Sequence, residues 1–454
     1  MRDILLTTLF GVLLLAVFKH PYIGPLLWAW MSLMNPHRLT YGFAQELPFA
    51  MLTAVVTMVV ALSTRQRQAV PMTPLTVVWL LFLLWMSITS LFALNQPEYV
   101  FERWLFVLKI QVMVVVTIML VRTRAQVDWL IWVVALSIAF YGIKGGVWTL
   151  ATGGAHRVWG PAGSMVEDNN SLAVALIMVV PFLYYLYQVT ERRLLRVGLV
   201  FAMITVCLGV LGSQSRGALL GIVAMATLLG LKSRYPLRIS LGIALLLAIG
   251  FMFMPDSWTE RMNTMKEYKA DESAMSRLYT WHTLWNLALD RPFVGGGFRS
   301  DFAAIFQKYA PTGPEYEVFQ GMYWVAHSIY FQVLGEHGFV AFGLFVAIGL
   351  LTWRRAGQLA VATRGDPEFG AWVPKLMPMV QAALIGYAIG GAFLSLAYFD
   401  LPYYLVALVL IVEAMLRESR LRGTVPAPSN AAPDRPVAPA DARPAAVSSA
   451  QRRR

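Results

Sequence analysis

The stretch Pro74-Leu-Thr-Val-Val-Trp-Leu-Leu-Phe-Leu-Leu-Trp-Met-Ser-Ile-Thr-Ser-Leu-Phe-Ala-Leu94 contains no ionisable side chain. At 1.5 Å rise per residue, about 20 such residues cross the hydrocarbon layer of a bilayer. A backbone in that layer has no water to satisfy its polar groups, so a segment of this length must be helical. Trp104 to Val121 repeats the pattern with a single charge, Lys109.

Composition extends this reading to the whole chain. Of the 454 residues, 58% are hydrophobic and 14% charged, and the mean hydropathy is +0.59. Soluble domains are nearer 45–50% apolar and about 25% charged. The apolar residues come in blocks, near 4–34, 48–62, 74–94, 104–121, 127–150, 171–189, 195–212, 217–231, 239–254, 327–353, 376–397 and 402–416. The expected fold class is therefore all-α, a polytopic transmembrane bundle of about 12 helices. Lys19-His20-Pro21 is a break inside the first block, which makes 13 crossings the alternative.

The net charge of +12 is a topology signal rather than a nucleic-acid footprint, because basic residues gather in short loops between apolar blocks. Arg65 and Arg67; Arg122 and Arg124; Arg192, Arg193 and Arg196; Lys232, Arg234 and Arg238; and Arg354, Arg355 and Arg364 mark one side, expected to be cytoplasmic. The opposite side holds 35–47, 95–103, 151–170, the turn near 213–216, the long segment 255–326 and 398–401. The long segment carries seven Lys/Arg against nine Asp/Glu and lacks the cytoplasmic bias, so it is expected in the periplasm of a bacterial inner membrane. Within it, Ala274 to Leu289 reads as a helix, Gly295-Gly-Gly297 as a loop, and Asp301 to Tyr309 as a second short helix. A loop this long on a membrane protein is a place for function. Residues 1–416 are thus expected to form the membrane domain. Residues 417–454, rich in Pro, Ala and Arg, read as a disordered cytoplasmic tail.

Few residues can carry chemistry. Cys207 is the single cysteine and lies inside an apolar block, which excludes an internal disulfide. The six histidines are scattered, with no metal-ligand spacing and no phosphate-binding loop for ATP; neither metal nor cofactor is expected. Basic residues on the non-cytoplasmic side break the charge rule. Arg216 sits in the tight Ser213-Gln-Ser-Arg-Gly217 turn, where snorkelling to the interface competes with an anion site. Arg277 lies early in the first loop helix, where a solvated face is the alternative. Arg157 shares its loop with Glu167 and Asp168, which could pair with it structurally. His327 begins Ala326-His-Ser-Ile-Tyr-Phe-Gln-Val-Leu-Gly-Glu-His-Gly338, where the long loop ends and a helix starts. An imidazole there is either an interfacial hydrogen-bonding group or a base working near neutral pH. Glu336 and His337, ten residues deeper, read as a polar packing pair.

In combination, Ser215-Arg216-Gly217, the segment 255–326 and His327-Ser328 resemble the O-antigen ligase and polymerase superfamily. Arg277 with Trp281, Trp285 and Asp290-Arg-Pro-Phe-Val-Gly-Gly-Gly-Phe298 is similar to that family's loop pattern. The ligase motif of His, a small polar residue, nine residues and two glycines three apart appears as His327-Ser328 and Gly338, with Ala341 in place of the final glycine. Ala326 to Phe339 looks like a subgroup of O-glycosylation ligases associated with exosortase systems. The resemblance spans about Arg157 to Ala341. It implies transfer of a glycan from undecaprenyl diphosphate to lipid A–core at the periplasmic face, in a metal-independent, inverting reaction. It implies that Arg216, Arg277 and Arg157 bind the diphosphate and that His327 is the general base. A polysaccharide polymerase and a protein O-oligosaccharyltransferase use the same donor and stay open, and a transporter is the distant alternative.

Overall fold

The structure, a computed structural model, describes residues 1–232 and 272–424. The expected crossing at 239–254, the start of the long loop and most of the tail lie outside the described residues. Met1–Leu416 forms one compact unit. Among the described residues there are helices and no strands. The helices are α1 (Arg2–Lys19), α2 (Ile23–Leu33), α3 (Phe49–Ser63), α4 (Pro74–Ser90), α5 (Pro97–Leu120), α6 (Arg124–Ala151), α7 (Asn169–Val189), α8 (Arg193–Gly212), α9 (Arg216–Lys232), α10 (Glu272–Asp290), α11 (Ala303–Tyr309), α12 (Ile329–Ala362), α13 (Val373–Gly390) and α14 (Asp400–Thr424). Among the described residues, six helices, α5 to α8, α12 and α13 with its 3-10 extension to Phe393, are long and apolar enough to cross a membrane. The chain is an all-α polytopic membrane protein.

The first apolar block breaks at His20–Tyr22 into α1 and α2, as Pro21 requires. The decisive block Pro74–Leu94 is helical only to Ser90. Its last apolar residues form a turn, and the Leu94 N–H donates to the Gly296 carbonyl (2.8 Å); their apolar character serves docking of the long loop. α5 starts seven residues before the expected crossing, with Pro97 in its first turn, and α12 runs nine residues past the expected end at 353. There the Arg355 guanidinium meets the Glu413 carboxylate through two 2.9 Å hydrogen bonds. Polar helical turns can thus continue past an apolar block when a partner receives them.

α7 is buried along most of its length and lies at the centre of the main apolar core, with α6, α8, α9 and α13 against it. α6 and α8 approach closely at glycines: a Cβ on Gly209 would stand 2.8 Å from the Gly142 carbonyl oxygen. Small residues let helix backbones meet in membranes, where no hydrophobic force separates helix from lipid.

The loops assigned by charge to one side meet at one end. Val158 N–H donates to Gly212 O (3.2 Å) and His327 N–H to Ser395 Oγ (2.8 Å). Asn169 Nδ2 donates to Ser213 O (2.7 Å), and Asn95 Nδ2 to Arg299 O (2.8 Å). In the opposite set, Gln68 Nε2 donates to Ile118 O (2.6 Å), joining two of its loops, and the Arg196 guanidinium lies 4.5 Å from the Tyr187 ring centre across its own turn.

The strongest departure from a regular helix is inside α12. Gly338 has φ 73° and ψ −174°, a backbone state that only glycine adopts without strain. The break frees carbonyls upstream. Gly335 O and Glu336 O accept from the N–H groups of Gly296 (2.8 Å) and Gly297 (2.7 Å), and Phe339 N–H donates to Pro292 O (2.8 Å). A Cβ at Gly338 would lie 2.5 Å from Pro292 O. The Pro-Phe-Val-Gly-Gly-Gly loop and the glycine of the His-Ser-x9-Gly motif are therefore the two halves of one hydrogen-bonded seam.

Candidate active site

The turn between α8 and α9 is built by its own hydroxyls. Ser213 Oγ donates to Val210 O (2.6 Å) and accepts from Ser215 N–H (3.2 Å); Ser215 Oγ accepts from Ala218 N–H (3.3 Å), capping α9. Gln214 takes a left-handed backbone (φ 57°). Its Nε2 donates to Gly154 O (3.1 Å), and its Oε1 accepts from Arg157 Nε (3.4 Å). Gly217 lets the turn lie against Phe393, 3.1 Å from where a Cβ would stand. Arg216 is thereby set at the first residue of α9.

This turn lines a cavity of about 350 Å³ together with Asn169, Asn170, Ser273, Phe393 and Leu394. Arg157, Arg216 and Arg277 all line it. They come from three separate parts of the chain: the loop before α7, the start of α9, and α10. The acids beside Arg157 in sequence are engaged elsewhere. Glu167 Oε2 accepts from Gly163 N–H (2.9 Å), and Asp168 Oδ1 caps α7 by accepting from Asn170 N–H (2.9 Å) and Ser171 N–H (3.1 Å).

His327 does not itself line this cavity. It stands one step behind the wall, where its N–H bonds Ser395 and the neighbouring residue Leu394 faces the cavity. Its backbone is left-handed (φ 46°), a state that costs a non-glycine residue roughly 1–3 kcal/mol and persists only when the surroundings fix it. The fixing contacts are clear. Ser328 caps α12, its Oγ accepting from Phe331 N–H (3.4 Å). The Trp281 indole donates to Ala326 O (2.8 Å) and stacks on Phe331 with ring centres 5.2 Å apart. Burial holds the His327 imidazole below its ordinary pKa, and the nearby Arg277 cation adds to that; the Asp168 carboxylate opposes it. The ring is therefore neutral at neutral pH, with a lone pair free of a proton on one nitrogen.

Glu336 and His337 do not form the expected pair. His337 Nδ1 bonds Thr89 Oγ1 (2.7 Å) and its ring packs edge-on to Phe298. Glu336 turns the other way, accepting from Tyr398 OH (2.6 Å) and Arg299 N–H (3.2 Å). Adjacent helical residues point about 100° apart, so a sequence neighbour is a poor guide to a partner.

Several functional-looking groups were not singled out in the sequence. Gln214 and Asn169 hold the cationic turn, and Ser395 holds His327 together with Trp281, which the loop pattern had already marked. Arg103 and Arg299 join Glu336 in a second polar cavity. Glu336, an acid inside an apolar block, gave a local signal, since such a residue needs a partner.

These features define a polytopic helical membrane protein with a triple-arginine cavity and a fixed, neutral histidine at one end of its bundle. Residues 201–346 match the family described as O-antigen ligase. They carry Arg216, Arg277, His327 and Gly338, and this match supports the O-antigen ligase superfamily. Residues 1–191, which include Arg103 and Arg157, match a family of unknown function (DUF5935). No curated protein matches the chain.

Proposed function

We propose that this protein is a glycosyltransferase that moves a glycan from undecaprenyl diphosphate to a sugar hydroxyl of lipid A–core, at the periplasmic face of a bacterial inner membrane. The coarser part, a membrane enzyme transferring a lipid-linked glycan, is what the O-antigen ligase match supports. The observation that carries the finer reading is the convergence of Arg157, Arg216 and Arg277 on one cavity beside His327.

The chemistry needs few parts. The diphosphate leaves as an anion, and guanidinium groups meet phosphate oxygens in bidentate geometry while staying charged throughout. Such preorganised cations stabilise charge that grows in the transition state. The acceptor oxygen attacks the anomeric carbon and forms the new C–O bond. The bond from that carbon to the phosphate oxygen breaks, and the electron pair leaves on the diphosphate. The acceptor proton passes to the lone pair of His327. A single displacement of this kind inverts the anomeric configuration. The polyprenyl tail stays among apolar helices, so only diphosphate and sugar reach the wet end.

The test is product analysis with purified protein and an undecaprenyl-diphosphate-linked glycan, offered lipid A–core, a second lipid-linked glycan and a Ser/Thr-containing protein in turn. The proposal expects a glycan–lipid A–core product of inverted configuration. Product on either other acceptor instead would make the protein a polymerase or a protein glycosyltransferase. Movement of the donor across a liposome bilayer with no covalent product would make it a transporter.

A further inference from the structure

A second polar cavity, of about 190 Å³, adjoins the segment that carries His327. Ala326 and Ser395 line it, while Leu394, next to Ser395, lines the triple-arginine cavity. His327, next to Ala326 and bonded through its N–H to Ser395, therefore adjoins both linings. Arg103, Arg299, Asp301, Trp324, Gln332 and Glu336 supply the polar and aromatic lining.

We propose that this second cavity binds the acceptor, as a neutral sugar ring whose hydroxyl is presented to His327. The proposal rests on the transferase reading above, since it needs a donor in the triple-arginine cavity. A two-substrate displacement requires such an arrangement: leaving group, base and nucleophile must meet at one carbon from different directions.

The chemistry of the lining selects the ligand class. A sugar hydroxyl both donates and accepts. The carboxylates of Asp301 and Glu336 accept, the guanidiniums of Arg103 and Arg299 donate, and Trp324 offers a ring face. This lining includes the acids Asp301 and Glu336 and the triple-arginine lining includes none among the described residues, so the site does not duplicate the first.

The cavity is also rigidly built. Arg299 has a left-handed backbone (φ 61°), fixed by its N–H on Glu336 Oε1 (3.2 Å) and its carbonyl on Asn95 Nδ2 (2.8 Å). Glu336 Oε2 takes the Tyr398 hydroxyl (2.6 Å), and Gln332 Oε1 takes Ala397 N–H (3.2 Å). The Arg103 guanidinium lies 5.9 Å from the Tyr398 ring centre. The Gly296–Gly297 seam to α12 sits directly beneath Arg299 in sequence and anchors it to the membrane helix.

Initial rates against lipid A–core concentration, at saturating undecaprenyl-diphosphate-linked glycan, test the assignment in wild type, Asp301→Asn, Arg103→Gln and Trp324→Ala. Donor affinity and thermal unfolding are measured on each. Loss of one hydrogen bond to a charged group predicts a rise of about 10-fold or more in acceptor KM, with donor affinity unchanged. Arg216→Ala gives the opposite pattern. Unchanged acceptor KM in folded Asp301→Asn and Arg103→Gln overturns the acceptor site alone, provided Arg216→Ala still weakens donor binding. Should Arg216→Ala and Arg277→Ala both leave donor binding intact, the transferase reading falls first and takes this site with it. Transfer onto a Ser/Thr peptide rather than lipid A–core also overturns the sugar assignment.

Discussion

The two polar cavities at the end of the bundle share a wall but not a chemistry. One draws three guanidiniums together with amides and hydroxyls. The other sets two guanidiniums beside two carboxylates and an indole. Fixed positive charge suits a departing diphosphate, and mixed donors and acceptors suit a sugar. The difference also appears in how each is made. The first is held by a short turn that caps itself with its own serines, the second by a loop sewn into a broken membrane helix. His327 belongs to neither lining and adjoins both.

The largest expected effect is at that residue. His327→Ala removes the proposed base and is expected to lower turnover by roughly 10²–10⁴-fold, with donor affinity and unfolding temperature near wild type. Wild-type rates in that variant would remove the base assignment. Next come the cations on one side only. Arg216→Ala and Arg277→Ala each weaken binding of the lipid diphosphate by about 10–100-fold, and acceptor KM stays unchanged. If either leaves donor binding and turnover intact, its place in the clamp is wrong.

Gly338→Ala attacks the seam beneath the second cavity. A residue with a Cβ at that backbone angle costs roughly 1–3 kcal/mol; the clash with Pro292 O adds to it. The unfolding transition should drop, and acceptor KM should rise more than donor Kd. An unchanged transition would show that the seam carries no strain.

A smaller effect concerns pH. In the proposed mechanism His327 acts as the neutral base, so the rate is expected to rise as the ring loses its proton and to level off above its pKa. Burial, then Arg277, hold that pKa below the ordinary 6.5. The acid limb of kcat/KM should therefore fall below the ordinary imidazole range. Arg277→Gln removes one depressing charge and should move the limb upward. A limb above the ordinary range in wild type, or a downward move in the variant, would contradict this environment. The smallest effect is none: EDTA should leave turnover unchanged, and loss restored by a divalent ion would break the arginine-only clamp.

The sequence made the bundle legible because membrane crossing imposes a length and a charge bias that short windows display. The break at Pro21, the helix from about 274 to 289 and the short helix ending at Tyr309 could all be read locally. So could Arg157, Arg216 and Arg277 as departures from the charge rule, though nothing local says that they face one cavity. What stayed hidden depends on distant partners. The end of α4 at Ser90 is set by docking onto Gly296, and the kink at Gly338 is set by Pro292 and the glycines of the loop. Glu336 looked like a partner for His337 because they are adjacent, yet Tyr398 and Arg299, far apart in sequence, claim it. The second cavity was invisible for the same reason, since Arg103, Arg299 and Glu336 lie on three different segments.

The most direct test is the position of the diphosphate in a structure of the protein bound to an undecaprenyl-diphosphate-linked glycan. The account predicts phosphate oxygens within hydrogen-bond reach of Arg216 and Arg277, with the sugar directed toward His327. Phosphates seated among Arg103, Arg299 and Glu336, or separated from His327 by much more than the sugar itself, would contradict it.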